Sequence, residues 1–128
     1  MTKPFFLFLF LFPFVCFSQF NVEHSIYFDT DEYFMGQTEK ARLYSFVESL
    51  SKEGLLKIEI SGFCDDVGAE KYNLVLSQNR ADAIKKVFSL LSFFPEKIVS
   101  VDGKGEVLLS FYPSENPEIV RSLNRRVD

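Results

Sequence analysis

Asp65 and Arg80 are the residues of this chain whose types and spacing most suit chemistry. They flank the stretch SGFCDDVGAEKYNLVLSQNRA, residues 61–81, which leaves an apolar run, crosses an acidic turn and enters a helical pattern. With a helix opening at Asn73, Arg80 lies two turns in, roughly 10 Å of rise. Its side chain leans back toward the N-terminal loop. Asn73, Ser77 and Arg80 fall at i, i+4 and i+7, a polar face distinct from the Leu76, Ala83 and Val87 stripe. A carboxylate and a guanidinium facing one cavity suit a zwitterion. Asp65 would accept from a ligand ammonium, and Arg80 would present its planar fork to a ligand carboxylate, with helix N-terminal amides adding donors. On these residues alone, an Asp65–Arg80 ion pair or two solvated charges is the commoner outcome.

Catalytic and metal readings fare worse. Asp65 and Asp66 resemble a carboxylate pair for glycan hydrolysis, but adjacent loop residues need not face one another, and an acidic turn before a helix serves its N-terminus. His24 is the sole histidine and precedes the first strand, so no Ser-His-Asp set can be built on it. Asp29, Asp31 and Glu32 lack the spaced glycine and terminal glutamate of a calcium loop. The expectation is a chain that is not an enzyme and carries no cofactor or metal.

The elements that must position these residues follow from periodicity. Ser25 to Asp31 is an aromatic and β-branched run, a strand closing near Asp29. Thr38 is the expected N-cap of a first helix with Leu43, Phe46, Val47 and Leu50 as its apolar stripe, stopped by Gly54. Leu56 to Gly62 alternates like a strand. A second helix runs from Asn73 to Leu91, burying Leu76, Ala83, Ile84, Val87 and Leu91, and Pro95 ends it. Lys97 to Val101 is a third strand, Gly103-Lys104-Gly105 a turn, and the Pro113 to Pro117 region a loop. The order β-α-β-α-β with a polar tail predicts an α+β sandwich, two helices packed on one face of a small mixed sheet. The Phe93-Phe94 pair reads as packing.

The chain has 128 residues, 47% of them hydrophobic, enough for one domain with a real core. Eight of the sixteen Phe residues fall in the first twenty positions. There, Lys3 precedes an uncharged run to Ser18 that is too short for a spanning helix. It reads as a secretory signal, residues 1–18, cleaved after Ser18, leaving a domain of residues 19–128. Val15 stands where acylated leaders place a small residue, which argues against Cys16 as a lipidated cysteine. Removing Lys3 leaves 13 basic against 18 acidic residues, net −5. That balance argues against nucleic acid as a partner. Cys64 would then be the sole cysteine, without an internal disulfide. The Arg125-Arg126 pair is too small a basic patch to indicate a partner.

The stretch that opened the reading resembles the OmpA-like C-terminal domain family, through Gly62, Asp65, Gly68, Tyr72, Asn73, Leu76, Ser77, Arg80 and Ala81. Gly103-Lys104-Gly105-Glu106 is similar to the family's later glycine turn, and Asn124-Arg125-Arg126-Val127 to its terminal signature. The resemblance runs from about Ile26 to Val127. It implies a non-catalytic domain of the periplasm that binds the diaminopimelate residue of the peptidoglycan stem peptide and ties the envelope to the wall. Asp65 would take the amino group and Arg80 the carboxylate, with Asn73, Leu76 and Asp29 lining the site. Phe63 and Cys64 stand where the family has His and Thr, making one wall more apolar. The family's last strand continues past its Arg-Arg-Val, so with Asp128 as the final residue the expectation is a clipped strand and a short sheet edge. The alternative reading is an envelope adaptor that binds another protein.

Overall fold

The computed structural model describes residues 21–50, 54–55, 57–91, 95–111 and 113–128. The expected leader with Cys16, and the Phe93-Phe94 pair, lie outside the described residues. The chain runs β1 (Ile26–Tyr27), α1 (Gln37–Ser49), β2 (Ile58–Cys64), α2 (Glu70–Leu90), β3 (Ile98–Glu106), α3 (Pro117–Asn124) and β4 (Arg126–Val127), with short 3-10 turns at Pro95–Lys97 and Leu109–Phe111. The fold is α+β with a mixed sheet ordered β1-β4-β2-β3. β2 and β3 are parallel, and β4 is antiparallel to both β1 and β2. A parallel pair needs a crossover, and α2 supplies it.

One core explains the layering. Leu43 and Val47 of α1 and Ala81, Ile84, Val87 and Phe88 of α2 pack with Ile26, Ile60 and Val127 of the sheet. β2 keeps its strand period, with Ile60, Gly62 and Cys64 buried, Ser61 and Phe63 half-buried between them and Glu59 exposed before them. Along α2 the buried set includes Phe88, which the sequence reading left out, while Ala83 is only half-buried.

Several boundaries differ from expectation, each for a local reason. Helix α1 starts at Gln37, not after Thr38, because the carbonyl of Gly36 already accepts from Lys40 N at 2.9 Å. Helix α2 starts at Glu70, with Asn73 N donating to Ala69 O at 2.9 Å, so Asn73 is inside the helix and its side chain does not cap it. Gly103 to Gly105 is not a turn but part of β3. A Cβ on Gly103 would come within 2.4 Å of Gln78 N, and one on Gly62 within 2.0 Å of Ser77 O. These glycines let α2 press onto the sheet.

Helix α3 stands where the turn formers between Pro113 and Pro117 predict a loop followed by a polar tail. Its start is nonetheless written in the sequence: Asn116 accepts from Glu118 N at 3.0 Å, and Pro117 opens the helix. The terminal strand is also not an edge. β4 is interior, with Val127 opposite both Ile26 and Gly62, and Ser61 and Asp128 exchange two backbone hydrogen bonds of 2.9 Å.

Candidate functional site

The polar face of α2 turns inward. Asn73, Ser77 and Arg80 are all buried, and at Ser77 the reason is that Gly62 and Gly103 of the strands leave room for the helix backbone to come close. Ser77 donates its hydroxyl proton to Leu74 O and accepts from Gly105 N, each at 2.9 Å. Gln78 accepts from Gly103 N at 2.8 Å and donates to Val101 O at 3.1 Å. These bonds lock α2 to β3 and fix the register from which Arg80 projects.

Arg80 is 1% exposed. Its Nε donates to Glu32 O at 2.8 Å, one terminal nitrogen to Asp29 O at 3.0 Å, and the other to Phe63 O at 3.0 Å and Cys64 Sγ at 3.5 Å. The guanidinium also lies 5.3 Å from the Phe28 ring centroid. Among the described residues no carboxylate is within ion-pair distance of it. Burial lowers its pKa, opposed by the nearby Cys64 and Asp65. Arg80 is therefore a desolvated cation ringed by main-chain carbonyls.

Asp65, 6% exposed, does not pair with Arg80. One oxygen accepts from Val67 N at 3.1 Å, and the other from Arg125 at 3.2 Å, while Arg125 Nε donates to Phe28 O at 3.1 Å. Neither bland alternative holds: the two charges are not paired with each other, and neither is solvated. Asp66 engages Arg121 of α3 at 2.7 Å. The two adjacent carboxylates are thus held by arginines four residues apart at the end of α3. Arg125 is the site residue that the sequence reading missed as such. Its only sequence signal is the Asn-Arg-Arg-Val end, whose helix had not been recognised.

The other expected residues divide. Asn73 is buried and donates to Val67 O at 3.1 Å, bracing the acidic loop from the helix. Leu76 is buried on α2. Asp29 reaches Arg80 through its carbonyl, and its side chain is exposed. Cys64 donates to Asn73 O at 3.3 Å, and burial pushes its thiol up to about 11, partly offset by Arg80. Such a thiol is unreactive at neutral pH. The open concavity on α1, lined by His24, Gln37, Arg42 and Phe46, contains none of these residues.

Comparison with known proteins fits this arrangement. Outer membrane porin F of Pseudomonas fluorescens is 31% identical over 109 residues, covering 84% of this chain and 32% of that protein. The chain thus spans about a third of that relative's length. The peptidoglycan-associated lipoprotein from Burkholderia pseudomallei superposes with a TM-score of 0.69 at 30% identity, over 83% of this chain and 87% of that one. The C-terminal domain of Helicobacter pylori MotB shares the fold, with a TM-score of 0.63 at 21% identity over 84% and 82% of the two chains. The OmpA family profile matches residues 27–123, from β1 almost to the end of α3. With the buried Arg80, the acidic loop and the terminal arginines all within one such fold, the chain belongs to the OmpA family.

Proposed function

We propose that this domain binds peptidoglycan non-covalently, as a non-catalytic module of an exported, periplasmic chain that ties the envelope to the wall. The ligand group is the zwitterionic end of a diaminopimelate residue in the stem peptide. The observation that carries this reading is the Arg80 guanidinium, buried with no carboxylate within ion-pair distance among the described residues. A desolvated cation without a counter-charge is costly, and a ligand carboxylate would supply one. Asp65 accepts one N–H on each oxygen. An ionised carboxylate offers about four acceptor positions, so capacity remains for a ligand ammonium. Asp29 adds an exposed carboxylate at the same turn, Asn73 holds the loop, and Leu76 gives an apolar floor. The name of the Burkholderia lipoprotein, 30% identical, supports the peptidoglycan part of this reading.

The test is calorimetric titration with a soluble stem peptide carrying diaminopimelate, beside peptides with that carboxylate amidated or with lysine in its place. Expected is saturable binding of the first peptide and at least tenfold weaker binding of the other two, the loss of a charge-assisted contact of about 1.5–3 kcal/mol. Asp65→Ala and Arg80→Ala, checked for folding by circular dichroism, are expected to abolish the heat. Equal binding of all three peptides, or none by the folded protein, would overturn the reading. Failure of the protein to co-sediment with isolated sacculi would then favour an adaptor that binds another envelope protein.

A further inference from the structure

Resting on the peptidoglycan reading, a second feature bears on how tightly the site binds. The groups on two edges of Arg80 belong to a single short turn: Nε donates to Glu32 O at 2.8 Å and a terminal nitrogen to Asp29 O at 3.0 Å. The turn is closed by Glu32 N donating to Asp29 O at 3.2 Å. Within it Asp31 has φ 57°, the one non-glycine residue with positive φ among the described residues. That conformation is tolerated by Asp and disfavoured for β-branched side chains. From α2, the exposed Tyr72 hydroxyl donates to the Asp31 carboxylate over a long 3.4 Å. These contacts fasten the turn over the cation from outside, and none of them is needed by the core.

We infer that Asp31 and Tyr72 are affinity-determining residues of this site: they clasp the Asp29–Glu32 turn shut over Arg80, so that the chain's own carbonyls occupy the guanidinium edges a ligand carboxylate needs. The turn acts as an internal competitor. Binding then requires the turn to lift, and the apparent affinity is the intrinsic one scaled by the fraction of molecules in which it has lifted. Loosening the clasp raises that fraction without adding a contact to the ligand. Asp65 and its Arg125 partner bond each other, Val67 N on the loop after β2 and Phe28 O, and neither bonds the carbonyls of Asp29 or Glu32 that cover Arg80.

Three variants of the full chain separate the contributions. Asp31→Asn removes the charge but keeps a residue that accepts positive φ. Asp31→Val removes the same charge, puts a β-branched residue there and also takes away the acceptor of the Tyr72 hydroxyl, a loss that Tyr72→Phe measures alone. Tyr72→Phe removes only the outer tether. Two quantities are read: solvent exchange of the Arg80 Nε–H by 15N NMR, and affinity for the diaminopimelate stem peptide. Relative to Asp31→Asn, the Asp31→Val protein is expected to exchange about tenfold faster and to bind about tenfold tighter, corresponding to the left-handed penalty of a β-branched residue. Tyr72→Phe is expected to move both by about twofold relative to the unsubstituted chain.

Equal exchange in the two Asp31 variants would show that the turn is not held by residue 31, and the inference would fall. Faster exchange with unchanged or weaker binding would show that the turn does not compete with ligand, with the same consequence. Faster exchange with no binding by any protein would overturn the peptidoglycan reading and the affinity claim with it, placing the fault in the ligand and not in the clasp.

Discussion

Arg80 and Cys64 meet the same small space at the end of β2, and their surroundings set how each responds to substitution and pH. Burial raises the Cys64 thiol to about 11 against an ordinary value near 9, with Arg80 opposing the shift. Because the folded value lies above the unfolded one, the stability this group contributes is complete below about pH 9 and is lost as pH rises toward 11. Urea midpoints are expected to fall over that interval in the unsubstituted chain and to fall less in Cys64→Ser. Gly103, like Gly62, has no latitude. The Cβ of an alanine there would meet α2 backbone at 2.4 Å. Gly103→Ala is expected to cost about 1–3 kcal/mol in a denaturation experiment by forcing α2 off the sheet.

At the scale of elements, α3 matters more than its eight residues suggest. Its Arg121 bonds Asp66 on the loop after β2, and Arg125 beyond its end bonds Asp65 on the same loop. The hydrogen bond from Arg121 holds the Asp66 carboxyl below its usual value, a little offset by burial. A depressed carboxylate contributes stability that is present above its unfolded pKa and is lost as pH falls through the folded one, a window below about pH 4. Asp66→Asn is expected to flatten the acid limb of the stability profile in that window. Arg121→Ala removes the group that holds Asp66 down, so it is expected to flatten the same acid limb and, the pair being only half-buried, to lower the neutral-pH stability only a little, while amide exchange over residues 117–124 quickens.

For the molecule as a whole, the last strand joins two halves of the sheet. Among the described residues β1 pairs only with β4, and β4 connects it to β2 and β3. Val127 is buried in the shared core, so Val127→Ala is expected to lower stability by about 2–3 kcal/mol. Deleting residues 126–128 is expected to do more, replacing a single cooperative urea transition by a broad one, because β1 loses its ladder to the rest of the sheet.

The sequence by itself determined the α+β class, both long helices, the β2 face and the residues of the acidic loop, because burial on one face of a regular element imprints a period of 3.6 or 2 that needs no knowledge of the partner. It also carries the Asn116-Pro117 start of α3, a signal masked by the turn formers around it. What Asp65 and Arg80 touch was decided only by tertiary structure. Charge and spacing place two groups near one another, yet which carbonyl or arginine takes each depends on chain segments up to 60 residues away. Likewise, the sequence displays Gly103 and Gly105 as turn formers, and only the approach of α2 reveals them as contact residues in a strand. Local pattern records how an element meets water and core. Its neighbours are fixed by the packing of all the elements at once.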